Sequence, residues 1–219
     1  MLNIHSSARF SIFVVFLMSI TSFLFSFLWL SYAFFSILVF LIIIFRHQRR
    51  VMPSISNVFV SSIDGVVMKI EKNIMNSNEI FSSEKFHCIF CKILQFNSRI
   101  IRMPLEGTIV HTTYTAGSNV LSSKFWKSFE KEEKECLTIS VSSDICNYAL
   151  SVTQSLLWPF SSIDFYQVEE NDNLSKGQDF AVSKLGGIVK LYIPSNILIQ
   201  VEVGQTLIAE ETIVAGPIS

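Results

Sequence analysis

Cys88 and Cys91 form a Cys-x-x-Cys pair, the spacing in this chain that is most often used for metal or redox chemistry. They lie in "FHCIFCKIL", a run typical of a β-strand, in which positions three apart face opposite sides of the sheet. Chelation would need a tight turn, and no Gly, Pro or Asn separates the two cysteines. We therefore predict two buried strand cysteines, with zinc or redox chemistry as the alternative.

Gly186 and Gly187 are adjacent in "SKLGGIVKLYIP", residues 183–194, although the chain has only 8 glycines. The residues after them alternate between apolar and polar, as in a half-buried strand. Glycine weakens the start of a strand, so a pair of glycines here needs a structural or chemical reason. Two glycines allow a tight loop with positive φ at low steric cost, and we predict such a loop between two strands.

The elements that must position these residues fall into two parts. Residues 10–45 contain no charged residue, and at helical rise they would extend for about 54 Å, against about 30 Å for the hydrocarbon core of a bilayer. Two short spans that turn near Ser31 fit this length better than one tilted helix, and the apolar run is too long for a secretory signal peptide. We predict that residues 1–45 form a membrane anchor, a transmembrane helical hairpin.

Basic residues flank the apolar run, with Arg9 before it and Arg46, Arg49 and Arg50 after it. A hairpin places both flanks on one side, and basic flanks favour the cytoplasmic side of a membrane. The second cluster would also attract anionic headgroups by roughly 1 kcal/mol per basic residue, unless it serves only as a stop-transfer flank. We expect the rest of the chain to lie at the cytoplasmic face of a membrane.

Residues 46–219 have the length of one compact domain. Short runs rich in Val, Ile, Thr, Tyr and Phe are broken by Gly, Pro, Asn and Ser, which predicts strands, and helices are predicted near 120–135 and 146–160. The net charge of −1 gives no reason to expect a nucleic-acid partner. A weak internal repeat near the C-terminus resembles the hammerhead turns of lipoyl and biotinyl domains, although the carrier lysine position falls on Gly187. We predict a mainly β domain, a flattened barrel-sandwich with a few short helices.

Six motifs follow one another in order from residue 45 towards the end of the chain. They are "FRHQRRVMP" at 45–53, "SSIDGVV" at 61–67, "NSRIIRMPLEGTI" at 97–109, "YTAG" at 114–117, "NDNLSKGQDFAVSKLGGIVKLYIP" at 171–194 and "VGQTLIAEETIVA" at 203–215. Together they resemble the small, membrane-anchored form of the phosphatidylserine decarboxylase family. The order of the motifs behind an apolar segment is more specific than any one of them.

The resemblance implies a β-rich domain related to the lipoyl barrel-sandwich and, with it, the chemistry of the family. A family proenzyme cuts itself at a Gly-Ser bond, and the serine becomes an N-terminal pyruvoyl group. That group forms a Schiff base with the amine of phosphatidylserine and accepts the electrons of the departing carboxylate, which gives phosphatidylethanolamine and carbon dioxide. Self-cleavage in the family relies on an Asp–His–Ser set with the logic of a catalytic triad.

Carried over residue by residue, the family's Asp position is Asp64, its His position is Arg99 and its Ser position is Gly187. Gly186 precedes the bond that the family cuts, and Ile188 stands where the family has Arg. Gly187 has no Cβ, so it cannot form the ester, the alkene or the ketone of pyruvoyl formation. Arg99 stays protonated and is a poor general base. The resemblance therefore implies catalytic positions that are degenerate in this chain.

Other serines are poor substitutes for the missing one. Ser183 and Ser195 lie close to the pair of glycines in sequence, but neither follows a glycine. Gly117-Ser118 is the only Gly-Ser dipeptide of the chain, and it falls in the "YTAG" motif rather than at the family's cleavage point. A turn is the default interpretation of that stretch, with displaced cleavage as the alternative.

Three functions follow from these positions. The leading hypothesis is a membrane-bound family homologue of phospholipid biosynthesis that has lost self-processing and activity, lacks the pyruvoyl group, and binds aminophospholipid headgroups or pairs with an active paralogue. Arg99 would then hold a lipid phosphate or carboxylate, unless it is a surface or salt-bridged arginine. The alternatives are an active decarboxylase with an unusual maturation and a non-enzymatic membrane adaptor built on the lipoyl-like barrel.

Overall fold

The structure is a computed structural model of the chain, and its described residues fall into two compact units. They are residues 3–4, 6–26, 28–44, 46–47, 50–53, 55, 57–75, 85–94, 98–116, 135–154, 163–165, 170–183 and 186–216. The first unit comprises Met1–Arg49 and Phe96–Ser98, and the second comprises Arg50–Gln95 and Arg99–Ser219.

The first unit is a helical hairpin. Helix α1 spans Ser6–Leu24 and helix α2 spans Leu28–Ile44, and the short strands β1 (Asn3–Ile4) and β2 (Arg46–His47) pair antiparallel at their outer ends. The chain reverses at residues 25–26, with Ser26 in the left-handed region at φ 59°, which corrects the predicted turn near Ser31. Ser31 lies instead inside α2 and donates a hydrogen bond to the carbonyl of Ser19 at 3.3 Å.

The predicted transmembrane character of this hairpin is not supported. Within the described part of the chain, no helix combines the length and the apolar character that crossing a bilayer requires. Helix α1 has 19 residues and α2 has 17, which at helical rise correspond to about 28 and 26 Å, against a hydrocarbon core of about 30 Å. Large apolar side chains are nevertheless exposed on both helices and the turn, among them Phe13, Phe16, Leu24, Phe25 and Trp29.

The second unit is built from fourteen strands. In chain order they are β3 (Phe59–Val60), β4 (Gly65–Met75), β5 (Lys85–Ile93), β6 (Ile100–Arg102), β7 (Gly107–Thr115), β8 (Glu135–Ser142), β9 (Asn147–Gln154), β10 (Ile163–Phe165), β11 (Asn173–Leu174), β12 (Asp179–Ser183), β13 (Ile188–Pro194), β14 (Leu198–Ile199), β15 (Thr206–Leu207) and β16 (Ile213–Gly216). The count covers the described residues alone.

The strands form one large sheet and two small ones. Eight strands pair antiparallel in the order β11-β7-β8-β9-β13-β5-β4-β15, and two three-stranded sheets have the orders β10-β12-β6 and β14-β16-β3. The prediction of a mainly β domain is confirmed. Its finer form, a lipoyl-like barrel-sandwich, stays a prediction.

Alternation along the strands builds the core. On β8, Leu137 and Ile139 are buried while Thr138 is only half-buried, and Val189 and Leu191 of β13 follow the same pattern. Successive side chains of a strand point to opposite faces of the sheet, so every second residue lies on the same face. These apolar residues therefore share one buried face. That face belongs to the core cluster that holds the unit together.

Two sequence predictions have clear outcomes in this unit. Cys88 and Cys91 are buried on β5, as predicted, and burial raises the pKa of both thiols to about 12. The helix predicted near 146–160 is wrong at its start, because Asn147–Gln154 form β9, which pairs with β8 and β13. A strand buried on both faces shows a continuous apolar run that periodicity does not distinguish from a helix. The other predicted helix lies almost entirely outside the described residues.

Candidate functional site

The four sequence-predicted site residues come from three separate parts of the second unit. Asp64 directly precedes β4, Arg99 directly precedes β6, and Gly186 and Gly187 directly precede β13. Strands β4, β5 and β13 are neighbours in the large sheet, so the beginnings of β4 and β13 lie on either side of the end of β5. The fold therefore brings sequence-distant positions to one end of the large sheet.

Backbone hydrogen bonds tie these positions together. Ile93, the last residue of β5, donates its N–H to the carbonyl of Gly187 at 3.0 Å, and Leu94 donates to the carbonyl of Asp64 at 3.4 Å. Ser183, the last residue of β12, donates its N–H to the carbonyl of Arg99 at 3.0 Å. The segments that carry Asp64, Arg99 and the two glycines thus form one cluster, which we call the junction site.

Asp64 is a buried charge partner in the junction site. Its side chain accepts a hydrogen bond from the N–H of Ala209 at 2.8 Å on Oδ1 and one from Arg50 at 3.2 Å on Oδ2. Arg50 also lies 3.8 Å from a carboxylate oxygen of Glu211. Arg50, one of the basic residues that follow the apolar run, is the ion-pair partner of Asp64.

Arg99 is buried, with 7% of its surface exposed, so the interpretation of a surface arginine is wrong. Burial lowers the pKa of its guanidinium from the ordinary value. Its Nη1 lies beside Gly186, where a Cβ added to the glycine would come within 3.3 Å of it. A desolvated cation thus lies next to Gly186.

Gly187 has no room for a side chain. A Cβ built on this residue would lie 2.5 Å from the carbonyl oxygen of Thr153, far inside van der Waals contact. The cause is strand pairing, because Ile188, the next residue, is the register partner of Thr153 on β9. Gly186 has φ +85°, a conformation that glycine adopts at little cost, and it provides the left-handed residue that the sequence predicted here.

Two further polar residues belong to the junction site: Ser183, which the sequence offered only as a poor substitute for the missing serine, and Gln154, which it did not indicate. Ser183 is fully buried, and its Oγ contacts the carbonyl oxygen of Gly186 at 2.8 Å and the side-chain amide of Gln154. The closeness of Ser183 to the glycine pair in the sequence was the signal available. Gln154, at the end of β9, gave no signal, because its position follows from tertiary strand pairing.

A second buried ion cluster lies close to Asp64 in space, because Glu210 follows Ala209, whose N–H donates to Asp64. Arg102 is 2% exposed and its Nε lies 2.8 Å from Asp179 and 3.2 Å from Glu210. Glu210 occupies the left-handed region at φ 65°. Desolvation raises the pKa of Glu210, and the charge of Arg102 opposes that shift.

The junction site offers ion pairing and hydrogen bonding but no attacking group at residue 187. Gly187 has no Cβ, and one built there would meet the carbonyl oxygen of Thr153. The expectation that the family's pyruvoyl group would form from this residue stays a prediction. Of the other serines considered in the sequence, Ser118 lies outside the described residues. Among the residues that the structure describes, no cluster of His, Cys, Asp and Glu could hold a metal ion.

Comparisons with known proteins agree with the motifs. A family model described as phosphatidylserine decarboxylase matches residues 37–215. A phosphatidylserine decarboxylase proenzyme of Ehrlichia ruminantium (strain Gardel) is 30% identical over 97% of this chain and 90% of that protein. The proenzyme of the same name from Ehrlichia canis (strain Jake) is 33% identical over 80% of this chain and 74% of that protein.

A more distant relative gives the same result. The phosphatidylserine decarboxylase proenzyme of Wolbachia pipientis wMel is 27% identical over 78% of this chain and 73% of that protein. No solved structure matches the chain. The family model covers the junction site and most of the second unit, and on that basis the chain belongs to the phosphatidylserine decarboxylase family.

Proposed function

We propose that this chain is a family member that does not cut itself, carries no pyruvoyl group and acts as a membrane-associated binding protein for aminophospholipid headgroups. The observation that carries the proposal is the environment of residue 187. A glycine stands there, and the carbonyl of Thr153 fills the space that a side chain would need. The chain would retain the fold of a phospholipid-metabolising family without its covalent step.

The chemical reason lies in the atoms that Gly187 lacks. In the family, a serine hydroxyl would attack the carbonyl before it to form an ester. β-Elimination would then release the upstream chain as a carboxylate and leave dehydroalanine, which water would hydrolyse to the ketone with release of ammonia. A residue with two hydrogens on Cα supplies neither the hydroxyl nucleophile nor the Cβ that becomes the alkene carbon and then the methyl group of a pyruvoyl. No shift in a neighbouring pKa replaces a missing atom.

Arg99 is the second obstacle to self-processing. A general base must accept a proton near neutral pH, and a guanidinium holds its proton there even where burial lowers its pKa. Asp64 does not compensate, since both of its oxygens already accept hydrogen bonds, from Ala209 and Arg50. The junction site is thereby organised as a set of charge partners.

Headgroup binding is supported by the buried positive charge of Arg99. A guanidinium in a desolvated site forms strong, charge-assisted hydrogen bonds to phosphate or carboxylate oxygens, and phosphatidylserine carries both groups. The exposed apolar side chains of α1 and α2 support a position at a membrane. The basic residues around the hairpin favour the cytoplasmic face of that membrane.

An active relative is the natural protein partner, because the chain would supply binding without catalysis.

Reductive trapping tests the proposed lack of a carbonyl cofactor. The purified chain is incubated with phosphatidylserine vesicles and cyanoborohydride, and its mass is then measured. We expect no adduct, because without a ketone there is no Schiff base to reduce. The Ehrlichia canis proenzyme, treated in parallel, is the positive control. An aminophospholipid adduct on this chain, or release of phosphatidylethanolamine, would show an active enzyme with an unusual maturation.

Substitution of Gly187 tests the steric part of the proposal. We expect Gly187→Ser to lower the free energy of unfolding by about 1–3 kcal/mol, as overpacking does, because the new side chain meets the carbonyl of Thr153. We also expect the variant to remain a single chain, because Arg99 is a poor base. Urea denaturation and gel electrophoresis provide the two readouts. Lys92→Ser, on the exposed face of β5, is the control and should change stability by less than about 0.5 kcal/mol.

A Gly187→Ser variant as stable as the original chain would contradict the steric argument. A variant that cuts itself would show that Arg99 is no obstacle.

Vesicle binding tests the proposed ligand. We expect the chain to bind vesicles that contain phosphatidylserine more tightly than vesicles of phosphatidylcholine alone. We expect Arg99→Gln to reduce that preference about tenfold, because a tenfold change in affinity corresponds to the free energy of one charge-assisted hydrogen bond. Lys92→Gln is the matched control for the loss of one positive charge at an exposed site. Circular dichroism verifies that each variant is folded. Equal binding to both vesicle types would favour a membrane adaptor without headgroup recognition.

A further inference from the structure

Ser183 contacts the carbonyl of the bond that corresponds to the family's cleavage bond. It is the last residue of β12 and is fully buried. Its Oγ lies 2.8 Å from the carbonyl oxygen of Gly186 and also contacts the carboxamide of Gln154, which is 2% exposed. Three polar groups from β12, the glycine pair and β9 therefore meet inside the second unit.

Counting protons leaves two orientations for these hydrogen bonds. A serine hydroxyl has one proton and cannot donate to Gln154 and Gly186 at the same time. With the amide oxygen of Gln154 facing Ser183, the buried amide nitrogen has no acceptor among the described residues. Turning the carboxamide by about 180° lets that nitrogen donate to Ser183 Oγ. The hydroxyl proton is then available for the carbonyl of Gly186.

We propose that Gln154 and Ser183 form a hydrogen-bond relay that ends on the carbonyl oxygen of Gly186 and polarises the Gly186–Gly187 peptide bond. The inference rests on the proposed function, in which this bond is intact. A hydroxyl group becomes a stronger hydrogen-bond donor when its own oxygen also accepts a hydrogen bond. The amide of Gln154 therefore strengthens the hydrogen bond that Ser183 donates to the carbonyl of Gly186. Ser183 and Gln154 are positioning residues of the junction site.

The relay has a chemical consequence. A donor aimed at a carbonyl oxygen withdraws electron density from the carbonyl carbon, which is the arrangement that stabilises an oxyanion when a nucleophile adds. The chain would therefore hold an activated carbonyl directly before Gly187, a residue that cannot attack it. The relay also ties the glycine pair to β9 and β12, which holds the uncut junction in one conformation.

The sequence supplies a spectroscopic probe for this single carbonyl. Gly186-Gly187 is the only Gly-Gly pair in the chain. When glycine alone is labelled with carbonyl ¹³C and with ¹⁵N, a carbonyl–nitrogen correlation spectrum of the full chain contains one signal, from the carbonyl of Gly186 and the nitrogen of Gly187. A carbonyl carbon moves downfield when its oxygen accepts a stronger hydrogen bond.

Two substitutions of Ser183 test the donor. Ser183→Ala is expected to move the carbonyl signal upfield, because the donor to Gly186 is lost. Ser183→Thr, which keeps the hydroxyl, is expected to leave it near its original position. Ser195→Ala, at an exposed serine in the turn after β13, is the matched control and should not move it. An unchanged signal in Ser183→Ala would overturn the relay.

Gln154→Met tests the direction of the relay and does not depend on the Ser183 variants. In the relay, loss of the amide donor weakens the bond from Ser183, and the carbonyl signal of Gly186 moves upfield. In the reverse orientation, Ser183 is released from Gln154, donates fully to Gly186, and the signal moves downfield, which would overturn the relay. Absence of the coupled signal in the unsubstituted chain would show a cut bond, and would overturn the proposed function together with the relay.

Discussion

The carbonyl oxygen of Thr153 lies where a side chain on residue 187 would have to be, and the rest of the junction site depends on this contact. Strand β13 is central in the large sheet, between β9 and β5, so residue 187 is fixed from both sides. Ile93 donates to its carbonyl on one side, and Ile188 begins the pairing with Thr153 on the other. Packing against backbone cannot relax by a change of side-chain rotamer, and glycine is the residue that this geometry accepts.

The charges around the junction fit a site without a nucleophile. Asp64 is engaged by Arg50 and by the amide of Ala209, and Arg99 lies buried beside Gly186. A desolvated guanidinium is suited to holding an anion and unsuited to accepting a proton. The Oγ of Ser183 lies 2.8 Å from the carbonyl oxygen of Gly186, which adds a polar contact at the glycine pair. Each of these residues is more easily understood in a binding protein than in a self-cleaving one.

Much of the fold was predictable, because alternating runs such as β8 and β13 reveal one buried face. Strand β9 was not predictable, because a strand that is buried on both faces shows no alternation of apolar and polar residues. The turn of the helical hairpin was predicted near Ser31, which lies inside the second helix. Asp64, Arg99 and Gly187 were identified through a family resemblance and not through spacing. The roles of Ser183 and Gln154 depend on the pairing of distant strands, which local sequence does not specify.

Whether residue 187 remains joined to residue 186 is the question on which this view of the protein depends. Intact-mass spectrometry of the purified protein answers it without any substitution or ligand. We expect one species with the mass of the uninterrupted 219-residue chain. Two species whose masses correspond to a break between Gly186 and Gly187, the smaller with a blocked N-terminus, would contradict it.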